Sequence, residues 1–169
     1  LAFDLGASNG RAILGRFDGE KITMQELHRF ENNYVEMNGI FYWDTPYLYN
    51  QLKQGLLAFQ QGGYGELDSF GIDTWGVDFA FIGRDGALMR NPYCYRDPHT
   101  VGAMEEYFAR IAKERVYDLT GIQFMNFNSL FQLYTLRKAG DSALEAAESI
   151  LFMPDALGYM LTGNKVTEY

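Results

Sequence analysis

A single cysteine, Cys94, stands among 169 residues, so no internal disulfide forms, and the pattern fits a reducing cytoplasm. Histidine is almost as scarce. His28 and His99 lie far apart, and with one thiol they offer neither a zinc-ligand spacing nor a Ser-His-Asp arrangement. His28 is expected in a strand and His99 on the surface. Basic residues number 14 against 22 acidic ones, for a formal net charge of −8. That balance argues against a nucleic-acid partner, which needs clustered Lys and Arg. It leaves a nucleotide open, because a bound magnesium ion and backbone N–H groups offset phosphate charge locally. Long apolar runs are missing, so no membrane partner is expected. The opening residues lack a basic segment followed by an apolar one, so no secretory leader is expected in them.

What is present is the composition of a globular domain, 47% hydrophobic and 21% charged, with enough length for a proper core. No repeat, low-complexity tract or linker interrupts it. The chain opens without methionine inside an apolar run and closes on Val166-Thr167-Glu168-Tyr169, where another strand or loop begins. A piece of a longer protein is expected on that ground, and its oligomeric state is not legible.

The first eleven residues carry the strongest signal. Phe3-Asp4-Leu5 is an apolar run with one carboxylate; Gly6-Ala7-Ser8-Asn9-Gly10 is a stretch of small residues; an outgoing strand follows from Arg11. Small residues let backbone N–H groups approach a phosphate, and an aspartate at a strand end suits a magnesium-bound water. The competing reading is a plain hairpin turning at Asn9-Gly10, with Gly10 at positive φ and Asp4 bonded to nearby backbone. Arg11 suits a phosphate or Asp4.

Periodicity gives strands over 11–17 and 21–30, a turn at Asn38-Gly39, and a helix capped by Asp44 with Pro46 in its first turn. That helix carries Leu48, Leu52, Leu56 and Phe59 on one face and stops at Gly62-Gly63. A buried strand is expected over 69–74, with 77–82 as its continuation or partner, and a hairpin turn at Asp85-Gly86. After residue 98 the pattern is helical: Met104, Tyr107, Phe108 and Ile111 share one face, Leu130, Leu133, Tyr134 and Arg137 another. A short alanine-rich helix, the run 150–153 and a helix over 154–161 follow. The order gives an α/β domain with a mixed sheet and flanking helices.

Phe3 to Arg11 resembles the first phosphate loop of the FGGY carbohydrate kinases, sugar kinases of actin-like (ribonuclease H-like) ATPase fold. Gly71-Ile72-Asp73-Thr74-Trp75-Gly76-Val77-Asp78-Phe79 closely resembles the substrate strand of the branch of that family that phosphorylates L-rhamnulose. His28-Arg29-Phe30, Trp43-Asp44, Tyr95-Arg96-Asp97, Thr120 to Phe124 and Met153-Pro154-Asp155 agree in type and order. The resemblance implies transfer of the γ-phosphoryl group of ATP, with Mg2+, to the 1-hydroxyl of a ketose sugar. Other ketoses (L-fuculose, xylulose) and a non-catalytic actin-like binding module are the alternatives. It also implies that residues 1–169 are the N-terminal part of the first of two actin-like domains, incomplete in itself, with the catalytic aspartate later in the chain.

By the same resemblance Ala7, Ser8, Asn9, Gly10 and Arg11 contact nucleotide phosphates and Asp4 the metal. Gly76, Trp75, Asp78 and Phe127 contact the sugar. The ordinary alternatives are a strand bulge for Gly76, core packing for Trp75, and bonds to backbone or to Arg96 for Asp73 and Asp78. Of these two, Asp78 is assigned to sugar and Asp73 to structure. Tyr95-Arg96-Asp97 either borders the cleft or holds a loop, and Asn128 starts a helix.

Overall fold

The computed structural model describes residues 1–167; Glu168 and Tyr169, part of the expected last strand or loop, lie outside them. The chain divides into two compact units. The first takes Leu1–Val35, Trp43–Gly76 and the residues from Leu151 onward; the second takes Glu36–Tyr42 and Val77–Ile150.

The first unit is built on a four-stranded mixed sheet of β1 (Ala2–Leu5), β2 (Asn9–Phe17), β3 (Ile22–Glu31) and a strand over Gly71–Thr74, in the order third, second, first, then Gly71–Thr74. The first three are antiparallel neighbours, and Gly71–Thr74 runs parallel to β1. Alternation decides the faces. Phe3, Leu5, Ala12 and Phe30 point into a core closed by Leu48 and Leu52 of α1 (Thr45–Gln61) and by Met153 and Leu157 of a helix over Met153–Thr162. The helix α1 starts where the sequence indicates: the Asp44 side chain accepts the Tyr47 N–H at 3.1 Å, and proline sits in the first turn. The opposite face is open, and Phe17, Ile22 and Met24 stand 67–76% exposed on it. The segment 21–26, expected to be half-buried, is exposed.

The expected turn at Asn9-Gly10 is displaced. Asn9 and Gly10 already belong to β2; the chain reverses over Gly6-Ala7-Ser8-Asn9, closed by the Gly6 N–H donating to the Asn9 carbonyl at 2.8 Å. Gly10 does not have positive φ. It is glycine because the Phe30 ring lies over it, and a Cβ would stand 2.2 Å from Cζ. Gly10→Ala is therefore expected to destabilise the domain by about 1–3 kcal/mol through overpacking. A urea titration reads this, and combining it with Phe30→Leu should recover part of the loss. A fully additive double variant contradicts the contact.

The remaining strands are β4 (Tyr34–Met37), β5 (Ile40–Trp43), β7 (Phe79–Ile82) and β8 (Ser149–Phe152), with Gly71–Thr74 numbered β6. The strands β4 and β5 form a hairpin that begins and ends in the first unit. The helices α2 (Ala103–Phe108), α3 (Lys113–Thr120), α4 (Ser129–Ala139) and α5 (Ser142–Ala146) follow, and the Met153–Thr162 helix is α6. Phe79 and Phe81 pack with Leu136 and Ala143. The buried residues of α4 are Phe131, Gln132 and Leu136; Leu130, Leu133 and Tyr134 of the expected stripe are half-buried, and Arg137 is exposed. Ile111 lies outside α2, and α3 was not foreseen. Cys94 is fully buried, and burial pushes its thiol up to about 11, so it stays protonated and unreactive at neutral pH. No helix among the described residues is long and apolar enough to cross a membrane.

Candidate functional site

Within the first unit the open sheet face carries a row of charges. Register sets Asp73 of β6 beside Asp4 of β1, Asp4 beside Arg11 of β2, and Arg11 beside Arg29 of β3. Arg11 donates to the Asp4 carboxylate, both side chains about 40% exposed, while its Nε is buried and takes no acceptor. Arg29 turns to Glu26 with an Nε contact of 2.9 Å, which relieves its repulsion from Arg11 and holds Glu26 below the usual carboxylate range. Asp4 therefore bonds to a guanidinium, and Asp73, expected to be structural, stands exposed beside it.

The turn beyond Asp4 is held from below. Asn32, at the end of β3 and 1% exposed, donates its N–H to the Ser8 carbonyl at 3.0 Å and its Nδ2 to the Gly6 carbonyl at 2.8 Å. Ser8 and Asn9 are exposed and Ala7 half-buried, whereas Gly10 is under Phe30 and presents nothing outward. Of the five residues read as phosphate contacts, Ala7, Ser8, Asn9 and Arg11 are accessible and Gly10 is buried.

Could this face hold magnesium by itself? Among the described residues no group of three His, Cys, Asp or Glu side chains is placed to hold a metal ion. The two accessible carboxylates of this face, Asp4 and Asp73 beside it, fit the other way magnesium is held, through its waters and substrate phosphates.

Also in the first unit, Trp75 follows β6 and stacks on Trp43, ring centroids 4.1 Å apart; Trp43 is fully buried and Trp75 half-exposed. Gly76 is exposed, and a Cβ there would meet nothing within 4 Å. Within this domain no neighbour forces glycine at that position.

In the second unit Val77 has φ of 69°, a conformation that a β-branched residue adopts only under constraint, at a cost of about 1–3 kcal/mol. This breaks the chain after β6, so 77–82 neither continues nor pairs with it. The Val77 carbonyl is gripped by Ser129 Oγ at 2.7 Å and Gln132 Nε2 at 3.3 Å. Asp78, 1% exposed, accepts from the Tyr95 N–H at 3.1 Å and from Gln132 Nε2 at 2.9 Å. Its carboxylate is thereby held within the frame, as a buried charge must be hydrogen-bonded. Gln132 Nε2 also donates to the Phe127 carbonyl at 2.9 Å, and the half-buried Phe127 ring lies 5.3 Å from Tyr95.

Asp97 holds a loop, accepting from the N–H groups of Phe41 and His99, each at 2.8 Å. Arg96 lies over the Tyr95 ring. His99 is not a surface residue; it stacks on Tyr93 and pairs with Asp97 at 2.9 Å. Asn128 precedes α4 but bonds the Gln123 carbonyl instead of capping.

The model of the FGGY family of carbohydrate kinases, N-terminal domain, matches residues 1–169. The chain belongs to this family. Among curated FGGY relatives, a protein named rhamnulokinase from Bacteroides thetaiotaomicron is 58% identical over the whole chain, which covers 35% of that relative. One of the same name from Oceanobacillus iheyensis is 43% identical, again over the whole chain and 36% of the relative. The chain thus spans about a third of the length of these relatives. A gluconate kinase structure from Lactobacillus acidophilus superposes with a TM-score of 0.83 at 15% identity, over 98% of this chain and 33% of the other. A ligand-bound xylulose kinase from the same organism gives 0.82 at 15% identity, over 99% and 34%. At that identity the likeness shows the FGGY fold, actin-like and of mixed α/β type.

Sequence reasoning missed Asn32, Ser129, Gln132 and the strain at Val77. Gln132 carried a usable signal, a lone amide between apolar residues of a helix, which burial obliges to find partners.

Proposed function

We propose that residues 1–169 are the N-terminal part of the first domain of a longer kinase. It transfers the γ-phosphoryl group of ATP to the 1-hydroxyl of L-rhamnulose in the cytoplasm. The observation that carries the reading is 58% identity, without omission of any part of the chain, to a relative named for that activity. In this reading the Gly6–Asn9 turn receives nucleotide phosphates on its backbone N–H groups, with Ser8, Asn9 and Arg11 as side-chain donors. Asp4 holds water on nucleotide-bound magnesium, the ion that offsets charge between the transferring phosphates. In the first unit Trp75 offers the sugar an apolar face and Gly76 an open backbone; in the second, Asp78 and Phe127 are the candidate contacts, with Asp78 bonded to Gln132 and Tyr95.

Phosphoryl transfer also needs a group to orient the attacking hydroxyl and take its proton. By family resemblance that aspartate lies outside this chain, so residues 1–169 alone are expected not to turn over. The test is the full-length protein with ATP, magnesium and a panel of L-rhamnulose, L-fuculose and D-xylulose. The expected outcome is highest kcat/KM on L-rhamnulose, and a fall of about 100-fold or more in kcat for Asp4→Asn. Preference for another ketose overturns the substrate; no phosphorylation of any leaves a binding module.

A further inference from the structure

The reversal of chain between β1 and β2 has a feature that its own residues do not explain. The Gly6 N–H to Asn9 carbonyl bond closes the turn but does not involve the Gly6–Ala7 and Ser8–Asn9 peptides, whose carbonyls are both turned toward one buried residue. Asn32 takes the Ser8 carbonyl with its main chain and the Gly6 carbonyl with its side-chain amide. The orientation of that amide is settled by chemistry: only Nδ2 can donate to a carbonyl. Asn32 is itself fixed from the other side, since the preceding Glu31 carbonyl accepts the Tyr47 hydroxyl of α1 at 3.0 Å.

Peptide planarity converts this grip into a direction. In a trans peptide the C=O and the N–H of the same unit point opposite ways. Drawing the Gly6 carbonyl down onto Asn32 turns the Ala7 N–H away from it, and drawing the Ser8 carbonyl down does the same for the Asn9 N–H. Among the described residues no protein acceptor takes the N–H of Ala7 or of Ser8. A turn of this length left to itself would let these planes flip, and donors facing the core would be lost to an anion outside.

We propose that Asn32 is a positioning residue for the nucleotide, fixing the peptide planes of the Gly6–Asn9 turn so that its N–H groups face the phosphates. This deepens the proposed function and rests on the turn being the phosphate site. Asn32 itself touches neither nucleotide nor sugar. It acts on the nucleotide end alone, because both of its partners are carbonyls of the turn.

The experiment uses the full-length protein. Asn32→Leu keeps the branching and the number of side-chain heavy atoms while removing the amide, and Asn32→Ala removes both. Each leaves the main-chain bond to Ser8, so the loss falls on the Gly6 peptide. Binding of magnesium–ADP and of L-rhamnulose is measured by calorimetry, with thermal unfolding alongside. Amide hydrogen exchange over residues 6–11 of the wild type is followed with and without magnesium–ADP. The expected result is ADP affinity lower by about tenfold in either variant, ketose affinity within about twofold, and wild-type exchange in the turn slowed by ADP. Slowed exchange with ADP affinity unchanged in the variants overturns the role of Asn32 and spares the phosphate site. Exchange unaffected by saturating ADP overturns the phosphate site, and the proposal with it. Equal loss of ADP and ketose affinity, or variants that both fail to fold, makes Asn32 a residue of the fold alone and overturns the proposal.

Discussion

Gln132→Leu is expected to cost about 3 kcal/mol or more in stability and to raise the ketose KM far more than the ATP KM. Three acceptors share its Nε2: the Val77 carbonyl, the Asp78 carboxylate and the Phe127 carbonyl. Leucine fills the space and supplies no donor. Removing one partner of a buried acceptor exacts its desolvation, about 1–3 kcal/mol for a neutral group and more for a charged one. The kinetic asymmetry follows from position, because the amide joins the two segments assigned to the sugar and none assigned to the nucleotide. Gln132→Glu sharpens the test. It sets a second carboxylate against Asp78 in a buried place, where two like charges cannot both ionise cheaply. One of the pair then takes up a proton on folding, so the folded state binds more protons than the unfolded one near neutrality. Stability of this variant must rise as pH falls from 7 toward 5. Urea titrations at both pH values measure it. A midpoint for Gln132→Leu indistinguishable from wild type would discredit the account.

Trp43→Ala is expected to be the most damaging single truncation, about 3–5 kcal/mol. Trp43 is fully buried at the end of β5 and supplies the surface on which Trp75 lies, 4.1 Å between centroids. Removing it takes away core volume and also the floor beneath a candidate sugar wall. Trp75→Ala should differ in kind: half-exposed, it costs less stability and more ketose affinity. Calorimetric unfolding and ketose binding separate the two, and equal stability losses would show the stack is not arranged as described. These are the only tryptophans in the chain, so in each variant the emission of the survivor reports its own exposure.

Much of this fold was legible because its local signals agree with one another. Asp44-Thr45-Pro46 starts α1 by a cap and a proline that need no tertiary help, and the apolar spacing through Phe59 then chooses the buried face. The N-terminal turn was misplaced by two residues for a physical reason. Asn-Gly is a strong turn signal when glycine is wanted for its backbone freedom, but Gly10 is small to admit Phe30, a residue distant in sequence. The most buried face of α4 was not legible because it includes Gln132, which is polar, and whose burial depends on acceptors at Val77, Asp78 and Phe127 that periodicity does not contain. Likewise an aspartate in an apolar strand announces that it needs partners without naming them. Asp78 found backbone and an amide, while Asp73 faces outward beside Asp4. The charges at the N-terminal turn were readable as types, and their ordering across four strands only from the register.

That ordering has an electrical result. Neighbouring strands stand about 4.8 Å apart, so the sequence of signs from Asp73 through Asp4 to Arg11 reverses within roughly 10 Å, about one Debye length at 0.1 M salt. A small polyanion and its counter-cation arriving together meet a gradient rather than a uniform potential. The cation is drawn toward the β6 side and the anion toward β2, so the sheet sorts the two charges before any side chain moves.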